Sequence, residues 1–183
     1  MCDDDLRMVY SMAHVRRKVY RDPRDIRRIV ENAMACARDL GLSLFSWATT
    51  GRPMSYEACK PIRLVSVAMG TFGIIGRSLR FDTKLERGED VDLTMQALLR
   101  ERVIYQDTRF KFDCGGMNRG GGGCQGVRSS RKYELDTRTL EERWGQYVIL
   151  RGKPRISEIL KKNSVAERVS VVVSRKSKYA AHF

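Results

Sequence analysis

No run of apolar residues in this 183-residue chain approaches the roughly 20 needed to cross a bilayer as a helix, so a membrane-spanning helix is not expected. Nor does the N-terminus read as a signal peptide, because Asp3-Asp4-Asp5 follow Met1-Cys2 with no apolar segment behind them. Cys2, Cys36, Cys59, Cys114 and Cys124 are an odd set without a CxxC spacing. Zinc ribbons and a disulfide framework are both poorly served by such a set, and reduced thiols in a cytoplasm fit it best. The phosphate-cradling GxxxxGK[ST] loop is missing, as are internal repeats. Acidic residues are scarce: 22 against 35 Lys and Arg, a net charge of +13. Most of that charge is arginine, which grips phosphate through two parallel N–H groups, so a polyanion is the expected partner and nucleic acid the first choice.

What is present is enough for a core. Apolar residues make up 42%, so the chain is not a disordered tail. A helix is predicted from Asp22 to Leu40. Asp22 caps it, Pro23 suits its first turn, Asp25 favours its positive end and Gly41 stops it. Ile26, Ile29, Val30, Ala33, Ala37 and Leu40 keep the i, i+3, i+4 rhythm of one buried face, and Cys36 reads as core. Strands are predicted at 42–47, 62–69, 102–105 and 109–112, with a glycine-punctuated approach at Gly70, Gly73 and Gly76. A second helix is expected over 90–100, and shorter elements follow: helix 137–144, strand 146–150, helix 154–162, strand 169–173. Between 115 and 126 stand seven glycines, which excludes regular structure there. That loop is either a plain surface loop or a mobile lid, whose flanking Arg119, Arg128, Arg131 and Lys132 could meet phosphates. A single α/β domain over 1–174 with a basic tail at 175–183 is the resulting expectation.

Two acidic sites carry the chemistry. Glu89–Asp90 stands at the mouth of the second predicted helix, just after Gly88. By spacing alone this is a pair stabilised by the free N–H groups of a helix start. Asp3-Asp4-Asp5 by itself is an acidic terminus. Taken together, however, Asp3-Asp4-Asp5-Leu6, the glycine-rich Gly70-Thr71-Phe72-Gly73-Ile74-Ile75-Gly76-Arg77, Arg80-Phe81-Asp82, Gly88-Glu89-Asp90-Val91-Asp92-Leu93 and Val103-Ile104-Tyr105-Gln106-Asp107 form an ordered set.

That set resembles the acceptor-side half of glycosyltransferases of the A-type fold, family 2 in particular, which share a glycine-rich strand, an FDE-like turn and a GEDxDL helix start. Thr83 stands where the turn usually has an acidic residue. The order of motifs, with an arginine-rich helix, a glycine-rich loop and a basic C-terminal part, is most similar to phage-type TET-associated glycosyltransferases. These are thought to add sugar to hydroxymethylated pyrimidines in DNA. The resemblance covers residues 1–150 and implies a mixed sheet flanked by helices. It implies that Asp3 and Asp5 hold Mn²⁺ or Mg²⁺ on the diphosphate of a nucleotide sugar such as a UDP-sugar, and that Asp90 is the base of an inverting transfer with Glu89 orienting it. It also implies that Asp4, Gly73, Arg77 and Gly88 line donor or acceptor. His182 falls late enough to be the C-terminal histidine ligand of that fold, though its basic surroundings, with no motif around it, favour an unbound tail residue. His14, among Arg16, Arg17 and Lys18, reads as surface. In that fold a nucleotide-binding half precedes the acidic motif. The expectation is therefore the C-terminal part of the fold, as a fragment or completed by a partner chain or second copy.

Two other readings compete. One is a non-catalytic nucleic-acid-binding protein using the arginine clusters at 16–28 and 119–132. The other is a metal-dependent nuclease, disfavoured because no lysine closely follows Asp90.

Overall fold

A computed structural model of the chain describes residues 8–13, 18–49, 56–86, 88–113, 130–144, 148–150 and 169–171. It is a mixed α/β structure. Contacts divide it into two compact units, Met1–Asp82 with Glu89–Val127 and Thr83–Gly88 with Arg128–Phe183.

In the first unit, α1 spans Pro23–Asp39. Asp22 Oδ1 accepts from the Arg24 N–H at 2.9 Å and so satisfies one of the free donors of the first turn. At the other end Gly41 takes φ 69°. There the Leu42 N–H reaches the Ala37 carbonyl at 2.8 Å and the Gly41 N–H the Arg38 carbonyl at 2.9 Å. This left-handed closure is open to glycine at no steric cost. Ile29, Ala33 and Ala37 are buried, with Ile26 and Val30 at the margin. Two positions depart from the periodic reading. Leu40, the C-cap, is 59% exposed because it lies past the last packed turn. Cys36 is exposed rather than core, although it lies within about 20° of Ile29 around the helix.

α1 packs on β3 (Leu44–Trp47) and β6 (Tyr105–Asp107). These two strands run parallel at the centre of a four-stranded sheet, with Phe45 opposite Tyr105. Its edges are β4 (Ile62–Arg63), antiparallel to β6, and β5 (Phe72–Ile74), antiparallel to β3. A second sheet holds β1 (Met8–Ser11) between β2 (Val19–Tyr20) and β7 (Phe110–Asp113), both antiparallel to it. After β6 the chain turns at Thr108–Arg109 and joins the other sheet as β7, where the Ala48 N–H donates to the Phe110 carbonyl at 3.0 Å. Val9, Phe45, Trp47, Tyr105 and Phe112 form the core with the buried face of α1.

Three predicted strands shorten, the run 42–47 pairing only from Leu44. The run 62–69 pairs only at Ile62–Arg63. Leu64 and Val65 beyond it are exposed, and the Ala68 N–H donates instead to Thr94 Oγ1 at 3.0 Å. Arg102 ends α2 (Glu89–Glu101) with φ 69°, its N–H on the Leu98 carbonyl at 2.9 Å, so the following strand starts at Tyr105 rather than Arg102.

The second unit has α3 (Ser130–Trp144), which begins seven residues before the predicted 137, and the antiparallel pair β8 (Val148–Leu150) and β9 (Val169–Val171). Its segment 83–88 is tied to α3: the Glu86 N–H donates to the buried Asp136 Oδ2 at 3.2 Å. The glycine-rich loop 115–126, the helix 154–162 and the tail 175–183 lie outside the described residues. No helix among the described residues is long and apolar enough to cross a membrane.

Candidate functional site

The first turn of α2 gathers Glu89, Asp90 and Asp92. Gly88 before it takes φ 76°, and within the second unit a Cβ there would stand 2.5 Å from Leu140 Cδ1. Backbone conformation and packing thus both require glycine at the step that leads into the acidic turn.

α2 is unusual in how completely its first turns are buried. Val91, Asp92, Leu93, Thr94 and Met95 are all buried in succession, so the helix start lies in a poorly hydrated setting. Asp90 keeps part of its surface open. Its Oδ1 accepts from the Val91 N–H at 2.8 Å, and its carbonyl accepts from Thr94 Oγ1 at 2.7 Å. Because Thr94 also receives the Ala68 N–H, the chain before β5 is tied through Thr94 to the backbone of Asp90. The Asp90 carboxyl is pushed up from 3.8 to about 6, first by burial and then by the charge of Glu89, against the lowering effect of backbone N–H groups. A carboxylate with that value is ionised at neutral pH yet basic enough to take a proton.

Asp92 plays another part. It is 1% exposed and accepts from Gln96 Nε2 at 2.8 Å. Gln96 in turn donates to the Arg80 carbonyl at 2.9 Å and accepts from the Arg80 N–H at 3.3 Å, as a neighbouring strand would. This pairing holds the Arg80-Phe81-Asp82 turn on α2. The i, i+4 spacing of Asp92 and Gln96 was visible in the sequence, but their link to Arg80, 16 residues before Gln96, was not.

The remaining predicted residues are spread out. Gly73 lies on β5 opposite Phe45, and a Cβ there would fall within the Phe45 ring; its missing side chain is accounted for by packing. Arg77 is exposed after β5, in a turn opened by Gly76 at φ 80°. Arg131 and Lys132 belong to the first turn of α3, and their side chains lie outside the described residues. So do Asp3, Asp4, Asp5, His14, Arg119, Arg128 and His182. Among the described residues no three His, Cys, Asp or Glu side chains come together to hold a metal ion.

Sequence reading missed a second polar cluster. At the end of β6, Asp107 is buried, and both of its oxygens are forked by Arg109, Nε to Oδ1 at 2.9 Å and Nη2 to Oδ2 at 2.8 Å. The Tyr105 hydroxyl is held protonated by burial and by the Asp107 charge, and it bonds to Cys36. Beyond the ends of β3 and β6, Met12, Ala48, Thr49, Tyr56, Arg63, Gln106 and Thr108 line a cleft of about 20 Å³. That is room for about one water, far below the roughly 300 Å³ of a small-molecule pocket. The cluster reads as an anchor for the β6–β7 turn, which leaves α2 as the candidate centre. Comparison of the chain with protein-family models, with curated proteins and with solved structures finds no match.

Proposed function

We propose that this protein transfers a sugar from a nucleotide-sugar donor to a hydroxyl group, with a hydroxymethylated pyrimidine of DNA as the favoured acceptor. The observation that carries the reading is Asp90: a part-open carboxylate at the head of a buried helix, raised to about 6. In the step proposed, the acceptor oxygen attacks the anomeric carbon and its proton passes to the Asp90 carboxylate. The bond from that carbon to the diphosphate oxygen breaks, and the diphosphate leaves with the electron pair. Attack from the face opposite the leaving group inverts the anomeric centre. Glu89 keeps Asp90 basic by its charge. Asp3 and Asp5 offer the hard oxygen donors that Mn²⁺ or Mg²⁺ takes, and no step is drawn through that ion. A base inside a duplex would have to be flipped out to be reached.

The test is titration calorimetry with UDP-glucose and other nucleotide sugars, with and without Mn²⁺, followed by transfer assays on hydroxymethylated DNA. Donor binding that needs the metal and is lost in Asp3→Ala/Asp5→Ala supports the reading. Asp90→Asn should bind donor as the wild type does and transfer no sugar. A folded protein that binds no donor overturns it. The net charge of +13 favours a second reading, a non-catalytic nucleic-acid-binding protein, whose DNA binding would survive both variants.

A further inference from the structure

We propose that the exposed arginine face of α1 is the surface on which this protein seats the phosphate backbone of duplex DNA. The proposal rests on the nucleic-acid partner named above and not on the transfer chemistry.

At 100° per residue, Arg27, Arg38, Glu31, Arg24, Ala35 and Arg28 fall within about 100° of the circumference of α1. This face lies opposite Ile29, Ala33 and Ala37, which pack into the core. It carries four arginines and one acidic residue, whereas a helix face that merely meets water usually mixes the two signs. Glu31 is already engaged, since it accepts from Arg27 Nε at 2.7 Å. Arg24, Arg28 and Arg38 are exposed, and their side chains have no hydrogen bond or ion pair with any described residue. Just before the helix Arg21 and Lys18 are exposed too, Lys18 lying 5.1 Å over the Tyr20 ring. Of the other acidic residues, Asp22 caps the helix through its Oδ1, and Asp25 and Asp39 sit at the margins of the face.

The dimensions fit a duplex. Arg24 and Arg28 are about 6 Å apart along the axis and Arg24 and Arg38 about 21 Å, at a rise of 1.5 Å per residue. The longer distance is about six base pairs at 3.4 Å each. Single-stranded nucleic acid is held by stacking its bases on aromatic side chains, and α1 has none: its sequence is PRDIRRIVENAMACARD. A rigid, aromatic-free row of bidentate donors suits a regular phosphate backbone whose bases are turned inward.

The experiment is fluorescence anisotropy of a labelled 25-base-pair duplex with the full chain across 50–200 mM NaCl. The variant is Arg24→Ala/Arg28→Ala/Arg38→Ala. Alanine at these exposed positions favours helix, and circular dichroism checks the fold. Losing three phosphate contacts should flatten the slope of log K against log salt by about three and weaken binding at least tenfold at 100 mM. Lys60→Ala/Arg63→Ala/Arg138→Ala removes the same charge elsewhere and should stay within about threefold of wild type. Arg24→Lys/Arg28→Lys/Arg38→Lys should recover most of the salt slope, which separates lost contacts from lost folding. Equal losses in the two alanine triples would mean that net charge alone binds DNA, and would overturn the proposal. So would an unaffected α1 variant, a wild type that binds no duplex, or a loss confined to single-stranded DNA. Asp90→Asn should bind duplex normally, so a failure of transfer and a failure of this surface are told apart.

Discussion

Replacing Asp90 by Asn should make the protein more stable at neutral pH while ending its proposed activity. Asn keeps the shape of the side chain and an oxygen for the Val91 N–H, which now bonds Asp90 Oδ1 at 2.8 Å. What it removes is a charge held in a poorly hydrated place. The native carboxyl titrates at about 6 against 3.8 when unperturbed. The folded state therefore binds more protons than the unfolded state between those values, and stability falls as pH rises through that window. Above about pH 6 the whole penalty is present. A shift of that size at about 1.36 kcal/mol per unit gives about 3 kcal/mol as an upper bound, and the open part of Asp90 brings it toward about 1–2 kcal/mol. The assay is urea denaturation of both proteins from pH 4 to 8. The Asn variant should gain about 1–3 kcal/mol at pH 7.5, or roughly 3–10 °C in Tm for a chain of this length. The gain should shrink to nothing near pH 4. A variant no more stable than wild type at pH 7.5, or a difference that does not change with pH, refutes the claim that burial and Glu89 raise Asp90.

The transfer rate should follow the same group: kcat/KM should rise through pH 6 and level off above it, and a profile flat from pH 5 to 8 would deny Asp90 the role of base. Gly88→Ala should destabilise by about 1–2 kcal/mol, because φ 76° is strained for any other residue and the new Cβ meets Leu140; adding Leu140→Ala should not remove the backbone part, as paired melting curves would show. Gly73→Ala puts a methyl into the Phe45 ring and should cost about 1–3 kcal/mol by urea denaturation. Gln96→Ala removes both hydrogen bonds to the Arg80 backbone and the one to Asp92, so the same measurement should show a loss of about 1–3 kcal/mol, with faster hydrogen exchange at Arg80.

Local signals carried well. The capped, arginine-rich helix at 23–39, the acidic turn before a helix at 89 and the strand at 44–47 were all legible, because caps, left-handed glycines and apolar periodicity act within a few residues. Errors arose where pairing decided. Residues 64–69 have strand composition but leave the sheet after Arg63, and Arg102 adopts a left-handed conformation that composition alone does not call for.

The candidate site divides the same way. The position of Glu89 and Asp90 at a helix start follows from the chain's own order, whereas their catalytic roles were expected only from the resemblance carried by Gly88-Glu89-Asp90-Val91-Asp92-Leu93. Asp107 with Arg109 was not seen, because its importance comes from burial at the end of a central strand. By itself, then, the sequence determined the charge of the protein, the place of its acidic turn and the arginine row of α1, all properties of neighbouring residues. Only the tertiary structure decided that Asp92 is buried and tied to the Arg80 turn through Gln96, that Gly73 makes room for Phe45, and that Asp90 is raised to about 6. Each of these depends on segments far apart in the chain meeting and excluding water, and only the folded packing brings them together.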